Sequence, residues 1–353
     1  MGVEVGVLSA DPDRTKRTYP GVKCFDVSRG RLKAAVSAVR WSDIVIVGGG
    51  ELVQDVSSLF YSPYNLLPLF LSSVFRKKSF AWAVGIGQKS ELALLTPLMT
   101  RLALRKCSGI TVRDRGSFNS LHRLGFREPE MLLTADCALT LPAGSREEKP
   151  SNILGAAPRD VSNRAGKLLP LELRKKMGIH RNADPLPAAC AWASILDRQA
   201  DKHGSEIILF PFHTGSLSNS DDVFCELIKS RMKCKKSVSI ADPSDPEGFT
   251  SLIAKCRVLV TTPLHGAILA FASGTVPVAV SYSSKCIRFM EQALLMEYIV
   301  PGCRGIPGDT AVPVIEKAWI NAEILQMRMT PVREKLVKRA VGTAEHFRKT
   351  FKL

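Results

Sequence analysis

Arg257–Ser281 reads RVLVTTPLHGAILAFASGTVPVAVS. Residues 257–261, RVLVT, form a short apolar run without polar alternation, so a strand here expects cover on both faces. Gly266–Ser273 carries apolar residues at helical spacing, and Val276–Ser281, VPVAVS, is a second buried strand. Strand, helix and strand in such quick succession describe a parallel sheet wound with helices. His265 stands where the helix begins. The amides of Gly266 and Ala267 point at whatever occupies the mouth above the strand, and the helix dipole favours an anion there. A histidine at that place binds the anion, shuttles a proton, or merely hydrogen-bonds to backbone. Spacing alone leaves all three open.

The same rhythm runs through the rest of the chain. Strands are expected at Val3–Leu8, Asp43–Val47, Ser79–Val84 and Gly109–Val112, with helices over Leu32–Val39, up to Phe75, Leu92–Lys106 and Ser117–Leu124. A stretch rich in Pro, Gly, Ser and charge, PAGSREEKPS at 142–151, reads as a linker. Beyond it come strands at Ile153–Ala157, Glu206–Phe212 and Val238–Ala241, and helices over Pro187–Ala200, Asp221–Met232 and Phe249–Cys256. The expected architecture is α/β: two Rossmann-like doubly wound domains facing a cleft. The first domain spans 1–145 and the second 151–310, followed by a basic helical segment, 311–353, that could pack back across the first half.

The 353 residues, 45% hydrophobic and 23% charged, supply enough apolar material for two cores and exclude a disordered chain. A net charge of +16 favours anionic partners: nucleic acid, phosphorylated small molecules, or acidic lipid and glycan carriers. No zinc-finger spacing or RNP-like aromatic motif accompanies the charge, so a nucleic-acid partner is not expected. The densest basic cluster, Arg333–Lys352, reads either as a solvated helix face or as attraction to an anionic membrane leaflet. Leu66–Phe75, LLPLFLSSVF, is too short to span a bilayer. It reads as a core helix, with monotopic membrane contact beside Arg76, Lys77 and Lys78 as the alternative. The nine cysteines lack CxxC or zinc-ligand spacing, and the first residues carry no apolar signal segment. Reduced thiols in the cytoplasm are therefore expected, with no metal site.

Polar residues gather at the strand ends. After Asp43–Val47 comes Gly48-Gly49-Gly50-Glu51-Leu52-Val53-Gln54-Asp55. Its glycines allow close backbone approach to a ligand, and Asp55 could serve as a base toward a hydroxyl; a tight strand-to-helix turn is the plainer reading. Arg113 ends another strand and offers a planar fork to a carboxylate or phosphate, or an ion pair to Asp114. Arg159 follows Ile153–Ala157, and His213 follows Glu206–Phe212, before a loop holding Gly215, Ser216 and Asn219. Lys285, in Ser281-Tyr282-Ser283-Ser284-Lys285, ends the strand next to the one before His265. Two cationic groups on adjacent strand ends suggest more than either alone.

Taken in order, VGVLSADPDRTKR, GGGELVQDVSS, AWAVGIG, GITVRDRGSFNSLHRLG, TADCAL and LHGAILAFASGTVPVAVSYSSK resemble the polysaccharide pyruvyltransferase family, from about residue 3 to about residue 300. The resemblance implies a glycosyltransferase-B-like pair of Rossmann domains. It also implies transfer of a pyruvyl group from phosphoenolpyruvate, a co-substrate rather than a resident cofactor, to two hydroxyls of a cell-surface polysaccharide sugar or its lipid-linked precursor. On that basis Arg113, His265 and Lys285, with Gly266 and Arg159, hold the donor. Gly49, Gly50, Gln54 and Asp55 form the acceptor side, and His265 and Asp55 serve as acid and base.

Three departures from the family pattern stand out. Members usually open with a strand and a Gly-Asn-x-Gly-Asp-type loop ahead of the stretch matching Val3–Asp11, so a domain lacking both is expected. Pro263 occupies a place commonly held by Arg, leaving Arg159 or Arg288 to supply that contact. Asp136-Cys137 replaces a common Asp-Pro. Two other functions remain open from the residues: a glycosyltransferase with a nucleotide-sugar donor, and a non-catalytic glycan- or membrane-binding relative.

Overall fold

The structure is a computed structural model that describes residues 2–55, 58–141, 152–161, 177, 184–214, 220–281, 283–303, 306–308 and 310–353. The linker expected at 142–151, the loop residues Gly215, Ser216 and Asn219, and Tyr282 lie outside the described residues. Contacts divide the chain into two units. The first runs to Ala135 and takes in Gly342–Leu353; the second takes the described residues from Asp136 to Val341.

The first unit runs β1 (Gly6–Ser9), α1 (Pro12–Thr18), β2 (Lys23–Asp26), α2 (Arg31–Trp41), β3 (Ile44–Gly48), β4 (Glu51–Val53), α3 (Tyr61–Val74), β5 (Lys78–Ile86), α4 (Thr96–Leu104), β6 (Gly109–Val112), α5 (Arg115–Arg123) and β7 (Met131–Leu133). Strands β3, β5, β6 and β7 form a parallel sheet in that order, and β4 also pairs with β5. β1 and β2 pair in parallel as a two-stranded sheet. The strand expected from Val3 begins only at Gly6, where pairing with Lys23 starts. LLPLFLSSVF lies in α3 up to Val74, with Phe75 as its C-cap, and Leu66 and Leu69 sit in a core with Val53, Ile86 and Val112. That burial makes the stretch a core helix.

The glycine run departs from the expected strand-to-helix turn. Gly48 closes β3 against Trp82, and a Cβ at Gly48 would collide with the Trp82 carbonyl. Gly49, at φ 80°, donates its amide to Trp82 O over 3.0 Å, and Gly50 O accepts from Gly85 N at 2.8 Å. The chain thus stays on the sheet through β4, and the helix waits until Tyr61.

The second unit runs β8 (Ile153–Ala157), α6 (Leu186–His203), β9 (Glu206–Leu209), α7 (Asp221–Arg231), β10 (Val238–Ile240), α8 (Pro246–Lys255), β11 (Val258–Thr261), α9 (Leu264–Ser273), β12 (Val276–Ser281), α10 (Ser284–Gln292), β13 (Ile299–Cys303), β14 (Ile306–Pro307), α11 (Ala311–Ile320) and α12 (Ala322–Phe351). The sheet order is β10-β9-β8-β11-β12-β13-β14, parallel except for the β13–β14 pair. The chain starts at β8 in the middle, steps outward to β9 and β10, then returns to β11 on the other side of β8. That is the Rossmann order, with its switch point between β8 and β11. Every residue of β11 is buried, as the unbroken apolar run requires.

The terminal segment does not stand apart. Residues from Gly342 onward belong to the first unit, while the start of α12 belongs to the second. Phe347 meets Phe80 at 5.2 Å and Trp82 at 5.6 Å between ring centroids, and Phe351 and His346 also contact Phe80. Burial holds the His346 imidazole below its ordinary value, with Lys349 adding to the effect. The basic tail is therefore amphipathic, its aromatic side packed on β5. Among the described residues no helix is long and apolar enough to cross a membrane. Phe347→Ala should destabilise the first unit by about 1–3 kcal/mol, less than a fully buried Phe because the ring is half exposed. Urea denaturation checks this; an unchanged midpoint would mean that the tail is only a solvated helix.

Candidate functional site

The carboxyl edge of the seven-stranded sheet carries Arg159, His213 and His265, with Lys285 on the helix that follows β12. Thr261 is paired on both sides, with Ala157 of β8 and Ala279 of β12. Past it, Thr262 donates its amide to Ala157 O over 2.9 Å, which holds the strand end beside the switch point. Thr261 Oγ1 donates to Pro263 O over 2.9 Å. The helix then starts at once, and Gly266 lies so close that a Cβ would collide with Thr261 Oγ1. Leu264, Gly266 and Ala267 turn inward, which leaves His265 exposed on the first turn of α9.

One expected detail changes. The Gly266 amide is not offered to the mouth but donates to Pro263 O over 3.1 Å, so the first turn is tightened and that donor is occupied. Thr262 Oγ1, fully buried, has no hydrogen-bond partner among the described residues.

Lys285 does not end a strand; it sits on the first turn of α10, a helix that the sequence reading missed. It is half-buried, and its neighbour Cys286 reaches Thr262 O at 3.9 Å. Arg288, on the same helix, is buried. His265 and Lys285 thus stand on the first turns of two successive helices, above adjacent parallel strands.

Arg159 also reaches this edge, but its fork is engaged. Nε and Nη2 bind the Asp221 carboxylate at 3.0 and 2.7 Å. Asp221 also accepts the amides of Phe212 and His213, at 3.2 and 2.8 Å. The pair ties the end of β8 to the start of α7. The donor-binding role expected of Arg159 would have to compete with that carboxylate. His213 is exposed, as a turn histidine would be.

In the first unit, Arg113 leaves β6 and is buried, its Nε 3.7 Å from Asp114 Oδ2. It lies across Gly85, whose missing Cβ would fall 2.9 Å from Arg113 Nε and Nη2. Asp114 caps α5 by accepting from Ser117 N at 2.7 Å and Ser117 Oγ at 2.9 Å. Asp55 is buried; its amide donates to Glu91 O over 2.8 Å, and its Oδ2 accepts from Ala93 N at 2.7 Å. Oδ1 has no hydrogen-bond partner among the described residues. Gln54 O accepts the Ser62 hydroxyl at 3.1 Å. The Gly49 amide and the Gly50 carbonyl are engaged by β5, as above.

A cluster around Arg113 escaped the sequence reading. Burial raises the Tyr61 phenol above its ordinary value and Glu51 adds to this, while Asn65, Arg113 and Arg31 pull it back. Burial also draws the Arg31 guanidinium down to about 10. Tyr61, Glu51, Arg31 and Arg113 therefore share one field, although they come from four elements whose spacing announces nothing.

A model of the polysaccharide pyruvyl transferase family matches residues 2–284. The chain belongs to that family. It is accordingly a transferase, and the match runs through the first unit to Ala135 and through the second as far as the start of α10. A sequence search of curated proteins finds no match. Solved structures confirm the fold alone. A UDP-N-acetylglucosamine 2-epimerase is similar with a TM-score of 0.65 at 10% identity, covering 100% of this chain and 89% of its own. The Neisseria meningitidis UDP-GlcNAc 2-epimerase, bound to UDP-GlcNAc, gives 0.62 at 9% identity, covering 98% and 91%. Anabaena HepE, in complex with UDP, gives 0.58 at 12% identity, covering 99% and 91%. These are glycosyltransferase-B-like folds, as the family resemblance implied.

Among the transferase's described residues, no group of three or more His, Cys, Asp or Glu side chains is placed to hold a metal ion. None of its eight described cysteine side chains is in a disulfide, and burial pushes the Cys107 thiol up to about 11. Arg159→Met should cost about 2–4 kcal/mol, because it strands the buried Asp221 carboxylate. Chemical denaturation measures this; wild-type stability with a selective loss of donor binding would place Arg159 in the ligand site instead.

Proposed function

We propose that the enzyme transfers the pyruvyl unit of phosphoenolpyruvate to two hydroxyls of a sugar, giving a cyclic ketal and inorganic phosphate. The acceptor is a sugar of a cell-surface polysaccharide or its lipid-linked precursor. The observation that carries this reading is the placement of His265 and Lys285 on the first turns of α9 and α10, beside the switch point of a Rossmann sheet. Ligands of such sheets bind at the carboxyl ends of the strands.

The donor's chemistry suits these groups. Phosphoenolpyruvate concentrates negative charge in a phosphate and a carboxylate, and an ammonium, an imidazolium and helix dipoles answer that charge. A proton added to the methylene carbon makes a methyl group and leaves an oxocarbenium-like centre. The first sugar hydroxyl attacks that centre and loses its proton to a base. The second hydroxyl attacks the same carbon, and the C–O bond to phosphate breaks with its electron pair leaving on oxygen. Two hydroxyl protons are released and one is consumed at the methyl. His265 supplies the proton or holds the phosphate. Lys285 holds the donor's anionic groups.

A second reading has one observation behind it: the fold's solved relatives include UDP complexes. In that reading the same edge takes a nucleotide sugar. The mutants separate the two. His265→Ala should lower kcat/KM for phosphoenolpyruvate by about a hundredfold or more, and Lys285→Met should mainly raise KM, by about tenfold. Phosphate-release kinetics with a sugar acceptor measures both; near-normal turnover by His265→Ala would sink the assignment.

A further inference from the structure

Helix α4 is apolar on both sides: Ala103 and Leu104 join the core, with Met99 packed against it, yet leucines also face outward. Its inward face carries Thr96, Thr100, Ala103 and Leu104. The outward face carries leucines: Leu95 is 66% exposed, Leu98 55% and Leu102 55%, preceded by Leu94 at 94%. At 100° per residue, Leu95, Leu98 and Leu102 fall within one narrow arc, so they form a stripe rather than scattered exposures. Single exposed leucines need no explanation, but a contiguous ridge of four marks a contact surface.

The charge around the ridge indicates what covers it. Residues 92–107 read LALLTPLMTRLALRKC, with no acidic side chain. Arg101, Arg105 and Lys106 are exposed along and beyond the ridge. Arg101 and Arg105 lie on the leucine side of the helix, one and two turns past Leu98. Leucines interleaved along the helix with exposed Arg101, Arg105 and Lys106, on a chain of net charge +16, complement a surface that is anionic above and apolar beneath. With 9 residues the helix extends about 14 Å, far short of a bilayer core, so it can lie in the interface but not cross it.

We propose that α4 and the preceding Leu94 dock the enzyme on an anionic lipid bilayer, with the leucine ridge inserted at the headgroup boundary and Arg101, Arg105 and Lys106 on the acidic headgroups. The site differs from both candidates legible in the sequence: LLPLFLSSVF is occupied by the core, and the tail spends its aromatic side on β5. Docking here does not depend on which donor the enzyme uses, so the two ideas fail separately.

The test is co-sedimentation of the full chain with vesicles of phosphatidylcholine alone or mixed with phosphatidylglycerol, at low and high salt. Wild type should bind the mixed vesicles and weaken with salt. The triple variant Leu95→Ser, Leu98→Ser, Leu102→Ser should lose about tenfold in partitioning, and so should Arg101→Ser, Arg105→Ser, Lys106→Ser. Both should keep the wild-type circular dichroism and thermal midpoint, because the changed side chains face solvent. Lys335→Ser, Lys338→Ser, Arg339→Ser on α12 should change binding by less than about twofold. Three results would overturn the proposal: no binding by wild type, undiminished binding by the leucine variant, or loss confined to the α12 variant. So would gel filtration showing wild type as a dimer that the leucine variant converts to monomer, since a second copy would then cover the ridge.

Discussion

The absence of a side chain at Gly266 lets the first turn of α9 rest directly on the end of β11. Thr261 occupies the space that a Cβ would need, and its hydroxyl binds the Pro263 carbonyl. Only Thr262 and Pro263 separate the strand from the helix, and His265 is left exposed on the first turn. That junction sits beside the switch point, where the chain reverses its march across the sheet. The packed parallel strands beneath it, buried at nearly every position, make the geometry stiff. A Cβ at 266 would collide with Thr261 Oγ1, so any larger residue would have to displace the hydroxyl that binds the Pro263 carbonyl.

A second constraint works in the first unit. Strand β5 collects the close approaches: Gly48 against Trp82, Gly50 bonded to Gly85, and Arg113 laid across Gly85. The aromatic end of α12 covers the same strand through Phe80 and Trp82. Glycines that read as a ligand loop thus serve first to let backbone and cationic side chain stack tightly. Asp55 gains its position from the same economy of space, because the chain segment at Glu91–Ala93 closes over it and binds its carboxylate and amide.

How far the sequence could be read follows from these two units. Unbroken apolar runs such as GITV, ILGAA and VPVAVS gave strands at their observed limits, because burial on both faces leaves one reading. Short strands with polar residues were invisible: Lys23–Asp26 and Glu51–Val53 owe their conformation to a partner, not to their own pattern. Helix α10 was hidden because its polar start, Ser283-Ser284-Lys285, reads as a strand end running into a loop. His265 and Lys285 were legible as polar groups following buried strands, though both stand on the first turns of helices. The engagement of Arg159 with Asp221 was not, since the two lie far apart in sequence and meet only because β8 and β9 are neighbours. Tyr61 and Arg31 were missed for the same reason.

Family membership and fold fix the enzyme as a polysaccharide pyruvyl transferase on a glycosyltransferase-B-like frame. The chemistry proposed for it makes one demand that glycosyl transfer from a nucleotide sugar does not: the donor's methylene must become a methyl by taking a proton. The most direct measurement is therefore mass spectrometry and NMR of the product formed from phosphoenolpyruvate and a sugar acceptor in deuterium oxide. A ketal bearing a single deuterium in its methyl group, formed in step with phosphate release, is the predicted result. A product without a pyruvyl group, formed only when a nucleotide sugar is present and accompanied by nucleotide release, would contradict the account.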